Sequence, residues 1–478
     1  MTLKYMIKNA TVVSVDPDIG TVADCDVLIE GDSIVAVGPN LSQPDNCVLI
    51  DASNAIVSPG FVDTHRHTWQ TQLRTVCSDH TLADYAIWMR NVYGASYTAH
   101  DAYLGNYCGA LESIDNGITC LVDHSHIVNS PAHADSAVQG LKDARIRATW
   151  CYGVWRNPCW EGSCLDPERE AQVPDWRFAD AKRIKDTFFK SNHHTDLLRF
   201  GFAPAELDFL TKEQATKEIM YGRSLGSAII TGHIGCGKYD DGAHTVRSLR
   251  DAGLLGADLL FSHATTLEDD ELDALRDQST GLSSTPGTEL QMEMGHPIAF
   301  KARAAGCRAS LGIDMACSNP VDMFQQMQLL LQSERRLEST TSRAKLSSLR
   351  QKCAEVLEMA TIGGAEAVGL KDIIGSITPG KKADLIITRC DSPRLTPVID
   401  PIAALVLYAN SSDVDTVFIN GVIVKQGGKL TQVDWPKVRS ELRASLESIL
   451  QRSKQAPLES IKKEMAIFMK QDLGKAQG

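Results

Sequence analysis

The chain has 478 residues and a formal net charge of −12, which argues against the basic face a nucleic-acid partner requires. Its 43% hydrophobic and 23% charged content is that of a globular chain long enough for two or three domains. No uncharged apolar run reaches the ~18 residues a membrane helix needs. Thirteen cysteines without a Cys-x-x-Cys pair fit free thiols in a reducing compartment better than a disulfide framework. The opening MTLKYMIKNATVVSVD lacks the pattern of a secretory leader, so a cytoplasmic protein without a membrane partner is expected.

Residues 1–58 read as short strands: VVSVD, DVLIEGDSIVAVG and CVLIDASNAIVS alternate apolar and polar positions between Gly, Asp and Pro breaks. From Gly60 the pattern changes. Apolar runs at 60–65, 117–124, 145–154, 197–204, 227–234, 257–264, 281–286 and 307–314 alternate with segments of helical periodicity, such as AHADSAVQGLKDA and FLTKEQATKEIMYGRSLG. Eight strands with helices between them predict a parallel (β/α)8 barrel over residues 59–370. Strand patterns return over 371–430, and 431–478 reads as helical. There Asp434 is placed to cap a helix with Pro436 in its first turn, and Val438, Leu442, Leu446 and Ile449 share one face. The two strand regions are expected to pack as one small β-sandwich domain that the barrel interrupts. The fold class is therefore α/β.

GFVDTHRHTWQTQLR (60–74) carries the first chemistry. Residues two apart on a strand face the same way, so His65 and His67 can share a metal ion. The alternative is a pair of satisfied polar residues closing a strand. Other strand ends shift the balance: TGHIG ends strand five with His233, LFSHATTL ends strand six with His263, and SLGIDMACSNP ends strand eight with Asp314. Polar residues repeated at one end of a barrel are hard to explain by core packing. Three imidazoles and a carboxylate suit one divalent cation, zinc first and iron(II) second, with a position left for water.

SPGFVDTHRH, DNGITCLVDH, TGH, SHATTL, LGIDMACSNP and the tail GSITPGKKADLIITRC with VFINGVIVKQGG together resemble the amidohydrolase superfamily. The resemblance is to the branch holding triazine hydrolases and nucleoside and base deaminases, and it spans almost the whole chain. It implies that His65, His67, His233 and Asp314 hold one metal, that water polarised by the cation is the nucleophile, that Asp314 accepts its proton, and that His263 polarises the atom under attack. It also implies substrate contacts just after the first ligands, at Trp69, Gln70 and Arg74, and association into a homodimer or larger homo-oligomer. No lysine closes strand four, which argues against the carbamylated two-metal version.

Two departures stand out. Deaminating members carry glutamate three residues after the strand-five histidine, where this chain has Cys236. Strand four ends Ala203-Pro204-Ala205-Glu206 rather than with a histidine after the proline. Glu206 can supply the missing carboxylate, or be a solvated loop residue; Cys236 can donate a proton, or be a small filler. His124 and His126 close strand two as substrate or supporting contacts, or as satisfied polar residues. The loop Trp155 to Phe178 is long enough for a lid, or is a packed excursion. Arg66 points to the opposite strand face and reads as structural support. GRSLG (222–226) lacks the strand-then-helix context of a nucleophile elbow. GSITPGKK lacks the Ser or Thr and the helix of a P-loop. The expected activity is metal-dependent hydrolysis of a carbon–nitrogen or related bond in a small cyclic or heteroaromatic molecule. A non-hydrolytic lyase, decarboxylation or cyclisation step at the same metal, or a non-catalytic scaffold, are the alternatives.

Overall fold

The structure, a computed structural model, describes residues 3–342 and 345–475. Five strands open the chain: β1 (Lys4–Val13), β2 (Thr21–Glu30), β3 (Ser33–Gly38), β4 (Cys47–Asp51) and β5 (Ala55–Pro59). Four more follow the barrel: β14 (Leu385–Arg389), β15 (Val414–Ile419), β16 (Val422–Gln426) and β17 (Lys429–Leu430). All nine form one mixed sheet in the order β17-β16-β15-β14-β5-β1-β2-β3, with β4 paired to β1. β14 runs antiparallel to β5, Ile387 opposite Val57, so the two ends of the chain are one folding unit. Its apolar core draws Ile7, Val27 and Val57 from the first part and Leu385, Ile387 and Phe418 from the second. The hairpin between β15 and β16 turns on Asn420 and Gly421, at φ 51° and 75°, the residue pair a two-residue turn of this kind selects. A Cβ at Gly421 would fall 1.9 Å from the Gly31 carbonyl oxygen.

Between these halves lie β6 (Phe61–Arg66), β7 (Ile118–Ser125), β8 (Arg147–Gly153), β9 (Leu198–Ala203), β10 (Ile230–Ile234), β11 (Leu259–His263), β12 (Gly281–Ser284) and β13 (Arg308–Leu311). Each lies within one of the eight apolar runs, extending at most one residue past its end, and they pair in parallel in chain order. A bridge between Arg66 and Asp314 closes the gap between β6 and the segment after β13. Inside the barrel Thr64 Oγ1 lies 2.7 Å from Ser283 Oγ and 2.8 Å from Ser310 Oγ, a hydroxyl layer tying three strands together. The apolar faces of the outer helices pack on the strands in the main core.

The helix Trp435–Ser453 starts where Asp434 accepts from the Lys437 N–H at 3.3 Å. It buries Val438 and Ile449 and is pinned by Arg452, which donates to the Ser96 carbonyl at 2.7 Å and to Asp101. The last helix, Leu458–Lys475, follows it. Among the described residues, no helix is long and apolar enough to cross a membrane.

Only Gly60 separates β5 from β6, and a Cβ there would lie 2.2 Å from Thr119. A buried ion pair joins the domains next to this seam. Arg147 on β8 donates through Nε and Nη2 to the two oxygens of Asp384 at 2.7 and 3.1 Å, and Nη2 also reaches Asn420 at 3.0 Å. Removing one partner strands a charge in the interior, which costs about 3–5 kcal/mol. Asp384→Ala should therefore lower stability by about that much, seen as an earlier midpoint in urea unfolding followed by fluorescence. An unchanged midpoint would show that the pair does not hold the domains together.

Candidate metal centre and catalytic cavity

His65 and His67 stand at the end of β6, and Asp314 reaches them because the segment after β13 pairs with that strand end. The Asp314 N–H donates to the His65 carbonyl and the His67 N–H to the Asp314 carbonyl, both at 2.8 Å. Side chains follow backbone: the Nε2 atoms of His65 and His67 each lie 3.4 Å from Asp314 Oδ1. His233, from β10, brings its Nε2 to 3.2 Å from that of His67.

Hydrogen bonds behind two of the rings fix their tautomers. His67 Nδ1 faces the His124 carbonyl at 2.9 Å, an acceptor only, so Nδ1 carries the proton and Nε2 offers a lone pair. His233 Nδ1 lies 2.7 Å from Glu206 Oε2, the carboxylate–histidine arrangement that orients metal ligands. Both nitrogens of His65 and both carboxylate oxygens of Asp314 are buried without a hydrogen-bond partner. Buried polar atoms are rarely left this way. A cation gripped by His65, His67, His233 and Asp314 would give one His65 nitrogen and the Asp314 carboxylate the partner they lack, so the donor set fits a divalent metal.

The electrostatics agree. Burial pushes His65 down to about 4 and His67 well below the usual imidazole range, keeping both neutral as ligation requires. Burial alone would raise the Asp314 carboxyl, but the surrounding histidines, His65 first, hold it far below the ordinary carboxylate range. Burial likewise opposes ionisation of Glu206 and is outweighed by His233 and Arg90.

His263, at the end of β11, hydrogen-bonds Thr285 Oγ1 through Nδ1 at 3.0 Å, with Glu289 at 3.7 Å. His263 and Asp314 both hold φ near 71°, a left-handed conformation uncommon for such residues and concentrated at functional sites. His124, for which the sequence permits either a site role or a satisfied polar residue, stacks on His233 at 4.5 Å and forms, with His67 and His233, another cluster of potential ligand atoms within 4.8 Å.

A cavity of about 630 Å³ opens over this centre. His67, His233, Asp314, His263, Glu206, Cys236 and His126 line it. The Cys236 thiol is pushed well above its usual range, by burial first and then by nearby Asp208 and Glu206, so it stays protonated at neutral pH. Sequence reasoning passed over Asp208, whose carboxyl burial lifts to about 7. It accepts from the Gly235 N–H at 2.9 Å and from Thr245 Oγ1 at 2.5 Å. Arg90, also unanticipated, reaches the cavity from a π-helical segment, Ala86–Tyr93.

Three residues expected at the substrate lie elsewhere. Trp69 is fully buried and donates from Nε1 to His126 Nδ1 at 3.0 Å. Gln70 donates to the Tyr85 hydroxyl at 2.7 Å. Arg74 turns outward to a bidentate pair with Glu112 at 2.6 and 3.0 Å. The stretch after His67 is a 3-10 helix, Thr68–Leu73, which rotates these side chains away from the strand-end direction. Arg66 also points toward Glu112, at 3.7 Å. The Trp155–Phe178 loop contributes Trp155, Arg156, Asn157, Pro158 and Cys159 to the cavity wall, whereas Trp176 is buried against it, bonded to Glu170. The last helix closes the rim with Glu464 and Met465.

An eight-stranded barrel whose strand ends gather three histidines, an aspartate and a further histidine under one cavity defines a metal-dependent hydrolase. The model of the amidohydrolase family matches residues 56–424, and the chain belongs to that family. It is 29% identical over 457 residues to a 5'-deoxyadenosine deaminase of Methanosarcina mazei, covering 94% of this chain and 98% of that one. It is 29% identical over 438 residues to a 5-methylthioadenosine/S-adenosylhomocysteine deaminase of Thermococcus kodakarensis, covering 88% and 94%. A zinc-bound adenosine deaminase from Xanthomonas campestris superposes with a TM-score of 0.80 at 22% identity, over 94% of this chain and 99% of that one. A variant of atrazine chlorohydrolase from Arthrobacter aurescens, complexed with zinc and atraton, gives 0.79 at 20% identity, over 92% and 100%. The protein is a hydrolase of carbon–nitrogen bonds other than peptide bonds.

Glu206→Gln should weaken metal retention about 10–100-fold, because the carboxylate behind His233 is lost while its shape stays. Competition with a chromogenic chelator measures it; retention equal to wild type would remove Glu206 from the metal's support. His65→Ala should leave less than a tenth of the wild-type metal content by elemental analysis.

Proposed function

We propose that the protein hydrolyses a small heteroaromatic substrate, displacing an amino group or comparable leaving group from an electron-poor ring carbon, with zinc as the resident metal. The observation that carries this is the convergence of His65, His67, His233 and Asp314 under a cavity of about 630 Å³, a size suited to a substrate of nucleoside scale. The three-imidazole, one-carboxylate set favours zinc, with iron(II) as the other suitable metal. Bound there, the cation acts as a Lewis acid and lowers the pKa of water.

The chain supplies the rest. Asp314, kept ionised by the histidines, is the proton acceptor next to the metal. His263 is oriented by Thr285 on Nδ1, which leaves Nε2 to polarise the ring atom under attack. Cys236 holds a proton and cannot act as a base; it can only donate toward the leaving group. Glu206 is ionised and bonded to His233, and it is the second cavity carboxylate, after Asp314, that can take up a proton and pass it onward. The deaminase relatives and triazine-hydrolase neighbours support hydrolysis; the comparisons lend no weight to the lyase, decarboxylation, cyclisation or scaffold readings. Thirteen cysteines, none in a disulfide, support a cytoplasmic location. We also propose a homodimer or larger homo-oligomer, which light scattering tests directly.

Zinc-loaded protein incubated with amino-substituted purines, pyrimidines and triazines should release ammonia from at least one, and mass spectrometry should show a hydroxyl in place of the amino group. Products of unchanged mass, or loss of carbon dioxide, would sink the hydrolytic reading. His263→Asn should lower kcat about 10²–10³-fold while zinc content stays the same, the cost of losing one oriented polarising group. A kcat within twofold of wild type would take His263 out of the reaction.

A further inference from the structure

Two hydrogen-bond donors line the cavity without acceptors. Arg90 is only 7% exposed. Its Nε reaches Asn157 Oδ1 at 3.4 Å, its Nη1 lies 3.8 Å from Glu206 Oε1, beyond hydrogen-bonding distance, and its Nη2 is buried with no partner. A guanidinium offers five N–H groups and accepts nothing, so this arrangement leaves Nη2 donors without an acceptor on a residue that lines the cavity.

His126 is the second. Indole Nε1–H can only donate, so Trp69 at 3.0 Å requires His126 Nδ1 to be the acceptor. The ring is therefore the neutral tautomer with its proton on Nε2. That Nε2 is buried and unpartnered, and the ring is held parallel to His67 at 4.0 Å. The donor thus stands beside a metal ligand, its direction fixed by a residue in the core. Burying such groups unpaired is costly; a site that keeps two of them is shaped for an acceptor arriving with the substrate.

We infer that Arg90 and His126 form a donor pair that reads an exocyclic oxygen on the heterocycle, so that the substrate is an oxo-substituted ring and not one bearing an amino group at that position. The inference rests on the hydrolase reading above and specifies its substrate class. An amino substituent would set N–H against N–H, whereas a carbonyl or ionised oxo oxygen accepts from both. Trp69 is a positioning residue: it never meets the substrate but dictates which nitrogen of His126 carries the proton.

Calorimetric binding of 2-pyridone and 2-aminopyridine to the zinc-loaded protein tests this with probes of equal size. The oxo probe should bind at least about tenfold more tightly, since a site built to donate rejects an analogue that cannot accept. Arg90→Met and, independently, Trp69→Phe should each reduce that ratio several-fold with zinc content unchanged. Simple loss of packing would weaken both probes alike and leave the ratio standing. If Arg90→Met does not fold, Trp69→Phe decides alone. Equal affinities, a preference for the amino probe, no binding of either, or an unaltered ratio in the folded variants would overturn the inference. Ammonia release from other heterocycles would meanwhile persist, so failure here is distinguishable from failure of the hydrolase reading.

Discussion

The whole site hangs on two backbone hydrogen bonds. Where β6 meets the segment after β13, Asp314 donates to the His65 carbonyl and His67 to that of Asp314. This closes the barrel and, in the same step, sets one carboxylate against two imidazoles from the opposite end of the barrel sequence. Asp63 reinforces the seam from below, its Oδ1 accepting from the Ile313 N–H at 2.9 Å. Ring closure and ligand assembly are one event here, and the left-handed backbone of Asp314 is the local strain it requires.

Around that seam the charges are arranged in shells. Neutral imidazoles and an ionised aspartate face the centre. Glu206 stands behind His233, and Arg90 faces the other side of Glu206, so the carboxylate is held between an imidazole N–H and a guanidinium. Beyond them a protonated thiol, Cys236, and a carboxyl raised by burial, Asp208, occupy the wall. Buried from water, each of these interactions is stronger than it would be in bulk solvent.

Much of this was legible in the sequence because it depends on strand-end periodicity. His65, His67, His233, His263 and Asp314 each close a recognisable apolar run, and parallel pairing in chain order carries all of them to one rim. The eight strands and the split β domain followed from the same alternation. What sequence missed depends on geometry off the strands. The 3-10 turn after His67 has no strong residue signature, so the strand-end pattern alone points Trp69, Gln70 and Arg74 at the substrate. Arg90 sits on a π-helical turn, twenty-three residues past His67, where no periodic pattern marks a cavity. The tautomer of His126 is invisible without knowing that an indole lies against its Nδ1.

The final helix contributes Glu464 and Met465 to the cavity rim, and the strand that locks the small domain, β14, enters only after the barrel is finished. The cavity wall therefore draws on a helix outside the barrel, so a change within Leu458–Lys475 can reach the reaction space without touching a strand.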